Sequence, residues 1–248
     1  MNSPITNPSG ENLDYTFTAG GGDAPIAGWL VVLGHGVTGD KTRPIIADTA
    51  AALNAAGFNT LAVSFAGNGD SQGDFRAATI TKEVADLGAV LDAVSGAYAK
   101  IAYIGHSMGA AVGVLRASQD QRINALISLA GMVDTKAFAE TEFGDVTPDE
   151  GVMWEDEDCP LSSAYITDLT ATVGNVSPAA EQITVPWLLV HGTADDVVLP
   201  RDTEHIELLK QSFADVVFVE GADHGFNEPD HKAHATKAVA DWLKRRAS

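Results

Sequence analysis

The sequence predicts an α/β fold in which a mostly parallel central sheet is flanked by helices. Three observations lead to this class. Short apolar strands alternate with helical segments along the 248 residues, as a parallel sheet with crossover helices requires. A serine between two glycines stands at one strand-to-helix junction. An acidic residue and a histidine each follow the end of a later strand, at the edge where open α/β sheets carry their sites.

The elements follow one another in a regular order. Residues 13–18 and 26–33 are expected to form the opening strands, joined by a glycine-rich turn at 20–23. The first helix is expected at 44–56, with Gly57 as its C-cap, because glycine accepts the left-handed conformation that ends many helices. Further strands are expected at 59–65, 100–104, 124–129, 185–190 and 216–219, and further helices at 81–94, 110–115 and 230–246.

The segment Gly105-His106-Ser107-Met108-Gly109 is the strongest single signal. A Gly-x-Ser-x-Gly pattern between a strand and a helix is the nucleophile elbow, a turn so sharp that bulky residues two positions from the serine would collide. The turn lifts the serine hydroxyl clear of the sheet and points the N-terminus of the next helix at the group under attack. Ser107 is therefore the candidate nucleophile.

A serine nucleophile needs a base, a carboxylate that orients the base, and donors for the oxyanion. In folds with this elbow the chain order is serine, acid, histidine. The strand at 185–190 runs into a segment with two acids, and the strand at 216–219 is followed by His224. We expect His224 to be the base and Asp195, four residues after His191, to be its orienting acid. Asp196 and Asp223 are the alternative acids.

Three other histidines flank this candidate site and invite a metal interpretation. His35, His106 and His191 fit no zinc-ligand spacing, however, and neither clustered cysteines nor acidic ligands accompany them. We expect them to be structural histidines that form hydrogen bonds to the loops around the site. The sequence therefore predicts no metal site, and the expected chemistry needs no cofactor.

An unusually long segment, residues 134–183, separates two of the expected core strands. It is expected to form a small cap over the active site within a single domain spanning 1–248, because insertions at this point overlie the strand ends that carry Ser107. The alternative is a solvated excursion anchored by its aromatic residues. Its acidic and aromatic residues are Glu140, Glu142, Asp145, Asp149, Glu150, Glu155, Asp156, Glu157 and Asp158 with Phe138, Phe143, Trp154 and Tyr165.

Composition limits the partners that the protein can bind. The formal net charge of −19 argues against nucleic acid and anionic membrane surfaces, since both are repelled by it. The carboxylates of the insertion should likewise disfavour anionic substrates. The first residues have neither a basic start nor an apolar run, which predicts a cytoplasmic location without a signal peptide.

Over nearly its whole length, the chain resembles serine hydrolases of the α/β-hydrolase superfamily. Two segments are similar to its cinnamoyl/feruloyl-esterase-like branch: the loop His35-Gly36-Val37-Thr38-Gly39-Asp40-Lys41, and the segment at 65–73, which resembles that branch's F-x-G-H-G-D-S-x-G pattern. The resemblance implies an α/β-hydrolase fold with Ser107, Asp195 and His224 as triad. It also implies the backbone N–H groups of Val37 and Met108 as oxyanion donors.

Two residues depart from this branch. Asn68 stands where the branch usually has histidine, and Ser64 where it often has aspartate. Both are expected near the entrance of the site, so they bear on the substrate class and leave the triad unaffected.

The expected activity is hydrolysis of small neutral carboxylic esters, with short acyl or aromatic groups such as hydroxycinnamoyl, through an acyl-enzyme intermediate. A small-molecule ester is the expected partner, and neither nucleic acid nor a membrane is expected to bind. The same triad would also serve an acyltransferase or a cofactor-free perhydrolase. A peptidase and a non-catalytic ligand-binding module are the remaining alternatives, since fold alone does not fix function.

Overall fold

A seven-stranded sheet forms the centre of the protein. The computed structural model describes residues 3–21 and 25–247, so Gly22 and Asp23 of the expected glycine-rich turn lie outside the described residues. The strands of this sheet are β3 (Tyr15–Thr18), β4 (Trp29–Gly34), β5 (Asn59–Val63), β6 (Lys100–His106), β7 (Ile123–Leu129), β8 (Trp187–Gly192) and β9 (Ala214–Val219). Two shorter strands, β1 (Ile5–Thr6) and β2 (Asn12–Leu13), precede them and pair with each other. The helices are α1 (Pro44–Ala55), α2 (Ile80–Val94), α3 (Met108–Ala117), α4 (Thr135–Phe143), α5 (Ser163–Thr167), α6 (Ser177–Glu181), α7 (Arg201–Lys210) and α8 (Pro229–Ala247).

The strand order in the sheet is β3-β5-β4-β6-β7-β8-β9. β3 is antiparallel to β5, and every other neighbouring pair is parallel. This is the mostly parallel sheet that the alternating pattern predicts. The carboxyl ends of β6, β8 and β9 therefore lie at the same edge of the sheet, which brings together the segments that follow them.

The opening strand differs from the expectation. Leu13 pairs with Ile5 in a separate antiparallel hairpin of β1 and β2, and only Tyr15–Thr18 joins the sheet. The interruption falls at Asp14, whose backbone N–H donates to the Ser71 hydroxyl. A side-chain acceptor from another loop thus takes the place of a ladder partner at this position.

Helices cover both faces of the sheet. Side chains of α1 and α8 form one apolar cluster with Val31 and Leu33 of β4. Side chains of α2, α3 and α7 form the other with Leu30 and Val32 of the same strand. Both faces of the inner strands are therefore buried, which explains why they are apolar without alternation.

The long segment at 134–183 connects β7 to β8 and is mostly helical. It contains α4, α5 and α6, together with a single turn at Met153–Glu155 and a π-helical stretch at Asp168–Val173. Phe138, Phe143 and Tyr165 are buried and belong to the same apolar cluster as α2 and α3. The segment is thus packed onto the domain through its aromatic residues. In the described residues no helix is long and apolar enough to cross a membrane.

Candidate active site

Ser107 lies between β6 and α3 with a strained backbone. Its φ of 55° and ψ of −122° place a non-glycine residue in a sparsely populated region, which costs about 1–3 kcal/mol and is typical of functional sites. Its surroundings hold it there: its N–H donates to the carbonyl of Leu129, and its carbonyl accepts from the N–H of Met132. Ser107 therefore has the geometry of a nucleophile elbow.

The glycines on either side of Ser107 are required by close packing. A Cβ at Gly105 would lie 2.1 Å from the Gly109 carbonyl oxygen, and one at Gly109 would lie 2.3 Å from the His35 carbonyl oxygen. Both distances are far below van der Waals contact with backbone atoms that cannot move aside. The elbow thus depends on glycine at both positions, as the motif predicts.

His224 follows β9 and contacts Asp195, which follows β8. The Nδ1 atom of His224 lies 2.8 Å from Asp195 Oδ2. The other carboxylate oxygen of Asp195 accepts hydrogen bonds from the backbone N–H groups of Val197 at 3.0 Å and Val198 at 2.9 Å. Asp195 is only 4% exposed, so the turn that follows β8 holds its carboxylate rigidly against the imidazole.

Neither alternative acid is hydrogen-bonded to the imidazole of His224. Asp196 is exposed, and the carboxylate of Asp223 accepts from the backbone and side-chain N–H groups of Asn227. Of the three candidates, the geometry favours Asp195 as the orienting acid.

The carboxylate of Asp195 is ionised. Burial by itself would raise the pKa of this carboxyl group, but hydrogen bonds from His191 and His224 outweigh burial and lower it. His191 is fully buried, and its Nε2 atom lies 2.8 Å from the carbonyl oxygen of Val198 and 3.2 Å from Asp195 Oδ2. His191 therefore ties the acid to its own turn.

His35 and His106 are also structural, as expected. His35 Nδ1 donates to the carbonyl of Gly36, and His35 Nε2 accepts from the backbone N–H of Phe65. His106 Nε2 donates to the carbonyl of His224 at 2.9 Å. Burial lowers the pKa of His35 to about 4 and that of His106 to about 3, so both rings are neutral. Within the described ranges no group of three His, Cys, Asp or Glu residues is arranged to hold a metal ion.

The loop that follows β4 lies directly against Ser107. A Cβ at Gly36 would lie 2.8 Å from Ser107 Cβ and 3.3 Å from its hydroxyl oxygen, so glycine is what allows this approach. In the described chain, the backbone N–H groups of Val37 and Met108 donate to no other protein group. Both are therefore available to bind an oxyanion beside Ser107.

A cavity of about 290 Å³ opens over Ser107 and His224. Phe138 and Trp154 of the 134–183 segment form part of its wall. Trp154 is held there by a 2.8 Å hydrogen bond from its Nε1 to Glu142 and by the ring of Phe143. The cavity is lined by Gly36, Val37, Thr38, Arg43, His106, Ser107, Phe138, Trp154, Val197 and His224.

Sequence reasoning missed two of these cavity residues. Arg43 and Val197 carry no motif of their own, although each stands within eight positions of a residue that the sequence marks. The only signal in the sequence is that proximity along the chain, since neither motif nor spacing distinguishes them. Arg43 immediately precedes α1 and faces the cavity from the far end of the loop that carries Val37.

The expectation for Ser64 and Asn68 was wrong. Both are buried and neither lines the cavity. The hydroxyl of Ser64 accepts from the backbone N–H of Lys41, and the Asn68 amide donates to the carbonyl of Ala66. These residues support the loops behind the site and are not placed at its entrance.

Comparisons with known proteins agree with this architecture. A family model described as serine aminopeptidase, S33, matches residues 26–147. Est1E from Butyrivibrio proteoclasticus, in a structure with bound ferulic acid, superposes with a TM-score of 0.87 at 24% identity and covers 98% of each chain. A monoacylglycerol lipase from Paleococcus ferrophilus gives a TM-score of 0.74 at 21% identity, over 93% of this chain and 98% of that chain. No curated protein sequence matches this chain significantly.

These findings define the fold of the protein. The chain has the α/β-hydrolase fold. Within that fold it is similar to Est1E, since a second Est1E structure also superposes on it, with a TM-score of 0.81 at 23% identity over 97% of this chain and 96% of that chain.

Proposed function

We propose that the protein is a serine hydrolase that cleaves carboxylic esters through an acyl-enzyme intermediate. The observation that carries this proposal is the strained Ser107, whose side chain shares one cavity with His224 while His224 is bound to the buried Asp195. A nucleophile, a base and an orienting carboxylate in this order are the parts that acyl transfer needs.

In the proposed first step, the Nε2 atom of His224 takes the hydroxyl proton of Ser107 as Ser107 attacks the ester carbonyl carbon. The ionised carboxylate next to Nδ1 keeps the proton on that nitrogen, which leaves Nε2 free to act as the base. The N–H groups of Val37 and Met108 bind the oxyanion. His224 then donates its proton to the departing alcohol. In the second half of the reaction water attacks the acyl-enzyme while His224 takes its proton, and His224 returns that proton to the Ser107 oxygen as the acid leaves.

The contact between nucleophile and base closes when substrate binds. In the described residues, the hydrogen bonds of His224 go to Asp195 and His106, and none joins its ring to the Ser107 hydroxyl. Such contacts are often long in unliganded enzymes and shorten in the substrate complex. We expect the Ser107 side chain to rotate toward the imidazole in that complex.

The proposed substrates are small esters with short acyl or aromatic groups. A cavity of about 290 Å³ with Phe138 and Trp154 in its wall suits a compact group or a single planar ring such as hydroxycinnamoyl. We propose that the 134–183 segment acts as a cap of a single domain and supplies this part of the wall. The net charge of −19 supports a neutral ester as the basal substrate, and it disfavours nucleic acid and anionic membranes.

A peptidase is the second candidate, because the matching family model is described as a serine aminopeptidase. The same triad would cleave an amide if the cavity held the N-terminus of a peptide. Parallel assays with an ethyl ester and with aminoacyl anilides distinguish the two. We expect turnover of the ester and none of the anilides.

The direct test replaces Ser107 with alanine. We expect Ser107→Ala to lose both esterase activity and labelling by a fluorophosphonate probe, while its circular dichroism spectrum stays that of the wild type. The matched control is Ser118→Ala, since Ser118 lies just beyond the other end of α3 and its hydroxyl donates only to the carbonyl of Leu115. Near-normal activity in Ser107→Ala would refute the nucleophile assignment.

A further inference from the structure

Arg43 gives the catalytic cavity a fixed positive charge. Among the described residues that line the cavity, it is the only lysine or arginine, and no aspartate or glutamate lines it. Its Nη2 atom donates a long hydrogen bond of 3.4 Å to the hydroxyl of Thr38. The guanidinium thus shares the cavity with Ser107 and keeps most of its five N–H donors available.

No carboxylate in the described parts of the chain neutralises this arginine. Across residues 3–21 and 25–247, no Asp or Glu oxygen lies within 4.0 Å of its guanidinium, whereas Arg116, Arg122 and Arg246 are each paired with aspartates. The other arginines without such a partner in these ranges, Arg76, Arg201 and Arg245, are exposed to solvent, and Arg43 is half-buried in the cavity wall. The nearest acid in sequence, Asp40, instead accepts from the backbone N–H and the hydroxyl of Thr42, both at 2.6 Å. In a chain with 34 acidic and 15 basic residues, an arginine left unpaired beside the nucleophile calls for an external partner.

We propose that Arg43 binds a free carboxylate of the substrate, so that the preferred ester carries one negative charge. Monoesters of short dicarboxylic acids have this chemistry. The inference rests on the proposed ester hydrolysis. It also reverses the order that the surface charge alone predicts, because a monoanionic ester gains a contact that its neutral counterpart lacks.

The local contact outweighs the distant repulsion for two reasons. The carboxylates at 155–158 are exposed, and salt screens exposed charges within about 8 Å at physiological ionic strength. The guanidinium, by contrast, meets the substrate in a partly enclosed cavity, where a planar fork can form two charge-assisted hydrogen bonds with a carboxylate. Surface charge therefore slows the approach of an anion, and Arg43 retains it after entry.

The proposal also predicts a dependence on chain length. The ester carbonyl must reach Ser107 while the carboxylate reaches Arg43, and both groups must fit one cavity. Within a homologous series of monoesters, kcat/KM should pass through a maximum at one spacer length. The matching neutral esters have no second anchor and should vary smoothly with length.

The experiment compares the monoethyl esters of succinic, glutaric and adipic acid with the corresponding ethyl esters in which the free carboxylate is replaced by a carboxamide. All are assayed at physiological ionic strength. The measured quantity is the ratio of kcat/KM for each acid to kcat/KM for its amide. We expect this ratio to fall about tenfold or more in Arg43→Gln, the size of a lost charged hydrogen bond, and to be intermediate in Arg43→Lys. Arg245→Gln, a variant of an exposed arginine in α8, is the charge-matched control and should keep the wild-type ratio.

An unchanged ratio in Arg43→Gln would overturn the inference and leave Arg43 as a support for the Thr38 loop. If Arg43→Gln does not fold, inhibition of the wild type on a neutral ester decides the question. Glutarate should inhibit competitively and glutaramide should not, and equal inhibition by both would overturn the inference. Absence of turnover of every ester by the wild type would instead refute the proposed function.

Discussion

Asp195 shows how one buried side chain can orient a base. Its two carboxylate oxygens have different partners, since Oδ1 accepts from two backbone N–H groups and Oδ2 faces the Nδ1 atom of His224. The backbone contacts fix the position of the carboxylate without using the oxygen that the imidazole needs. The role proposed for Asp195 therefore depends on its charge and on its place in the turn that follows β8.

Asp195→Asn and Asp196→Asn form a matched pair that tests this role. Loss of the orienting carboxylate should lower kcat by about 10⁴, as in comparable triads, because the imidazole then takes the wrong tautomer. Asp196 is exposed and is not hydrogen-bonded to the imidazole of His224, so Asp196→Asn should keep wild-type kcat. Steady-state kinetics on one neutral ester measures both. The opposite ranking would make Asp196 the acid.

The buried histidines make the stability of the protein depend on pH. His106 is neutral in the folded state with its pKa lowered to about 3, whereas a free imidazole titrates near pH 6.5. Between these values the unfolded chain binds a proton that the folded chain does not, so the free energy of unfolding falls as the pH falls. At pH 5 this loss is about 2 kcal/mol for one such group.

We therefore expect His106→Gln to lose less stability than the wild type on going from pH 7.5 to pH 5. Urea unfolding at the two pH values measures the difference. His205→Gln is the control, because His205 is exposed and should leave the wild-type pH dependence unchanged. Equal slopes for the wild type and His106→Gln would mean that folding does not lower the pKa of His106.

Among the structural elements, the loop after β4 and the elbow before α3 act as a pair. Both bring backbone N–H groups to one point beside Ser107, and each approaches the other closely because glycine occupies the contact. The position of the oxyanion donors is thus set by backbone packing. Changing their side chains should matter less than displacing the loop.

Gly36→Ala tests this packing. Its new Cβ would lie 2.8 Å from Ser107 Cβ, so the loop must shift away from the nucleophile. Displacing one oxyanion donor costs about 10²–10³ in kcat, and we expect a loss of this size with little change in KM. Gly96→Ala is the control, since nothing lies within 4 Å of a Cβ there. Unchanged kcat in Gly36→Ala would place the oxyanion donor outside this loop.

At the scale of the whole molecule, charge is distributed unevenly. The surface carries an excess of carboxylates, including the exposed run at 155–158 beside Trp154, while the described lining of the cavity contains an arginine and no acid. An approaching anion therefore meets repulsion first and attraction later. The two effects differ in their sensitivity to salt, because only the exposed charges are strongly screened.

Neutralising the run by replacing Glu155, Asp156, Glu157 and Asp158 with their amides separates these effects. We expect kcat/KM for a monoanionic ester to rise at low ionic strength, by about tenfold if steering dominates, and the gain to vanish at high salt. A neutral ester serves as the control and should barely respond. Equal responses of both esters, or no response at any salt concentration, would reduce the run to a solvated surface.

Much of this architecture follows from local sequence signals. The alternation of strands and helices, the elbow at Ser107 and the chain order of the acid and the histidine depend on periodicity and turn chemistry, which neighbouring residues determine. The positions of Asp195 and His224 after their strands follow from the same logic, since parallel strands end at one edge of a sheet. Strand and helix boundaries differ from the expected ones by only a few residues, except where Asp14 divides the first strand.

Other features were decided only by the tertiary structure. Asp195 and Asp196 are adjacent in sequence and differ only in which way the turn points them, so burial against His224 distinguishes them. Arg43 and Trp154 meet in one cavity across more than a hundred residues of chain, and no local pattern encodes that meeting. Whether a charge is paired, buried or left free for a ligand depends on which distant groups surround it, and chain folding alone determines those surroundings.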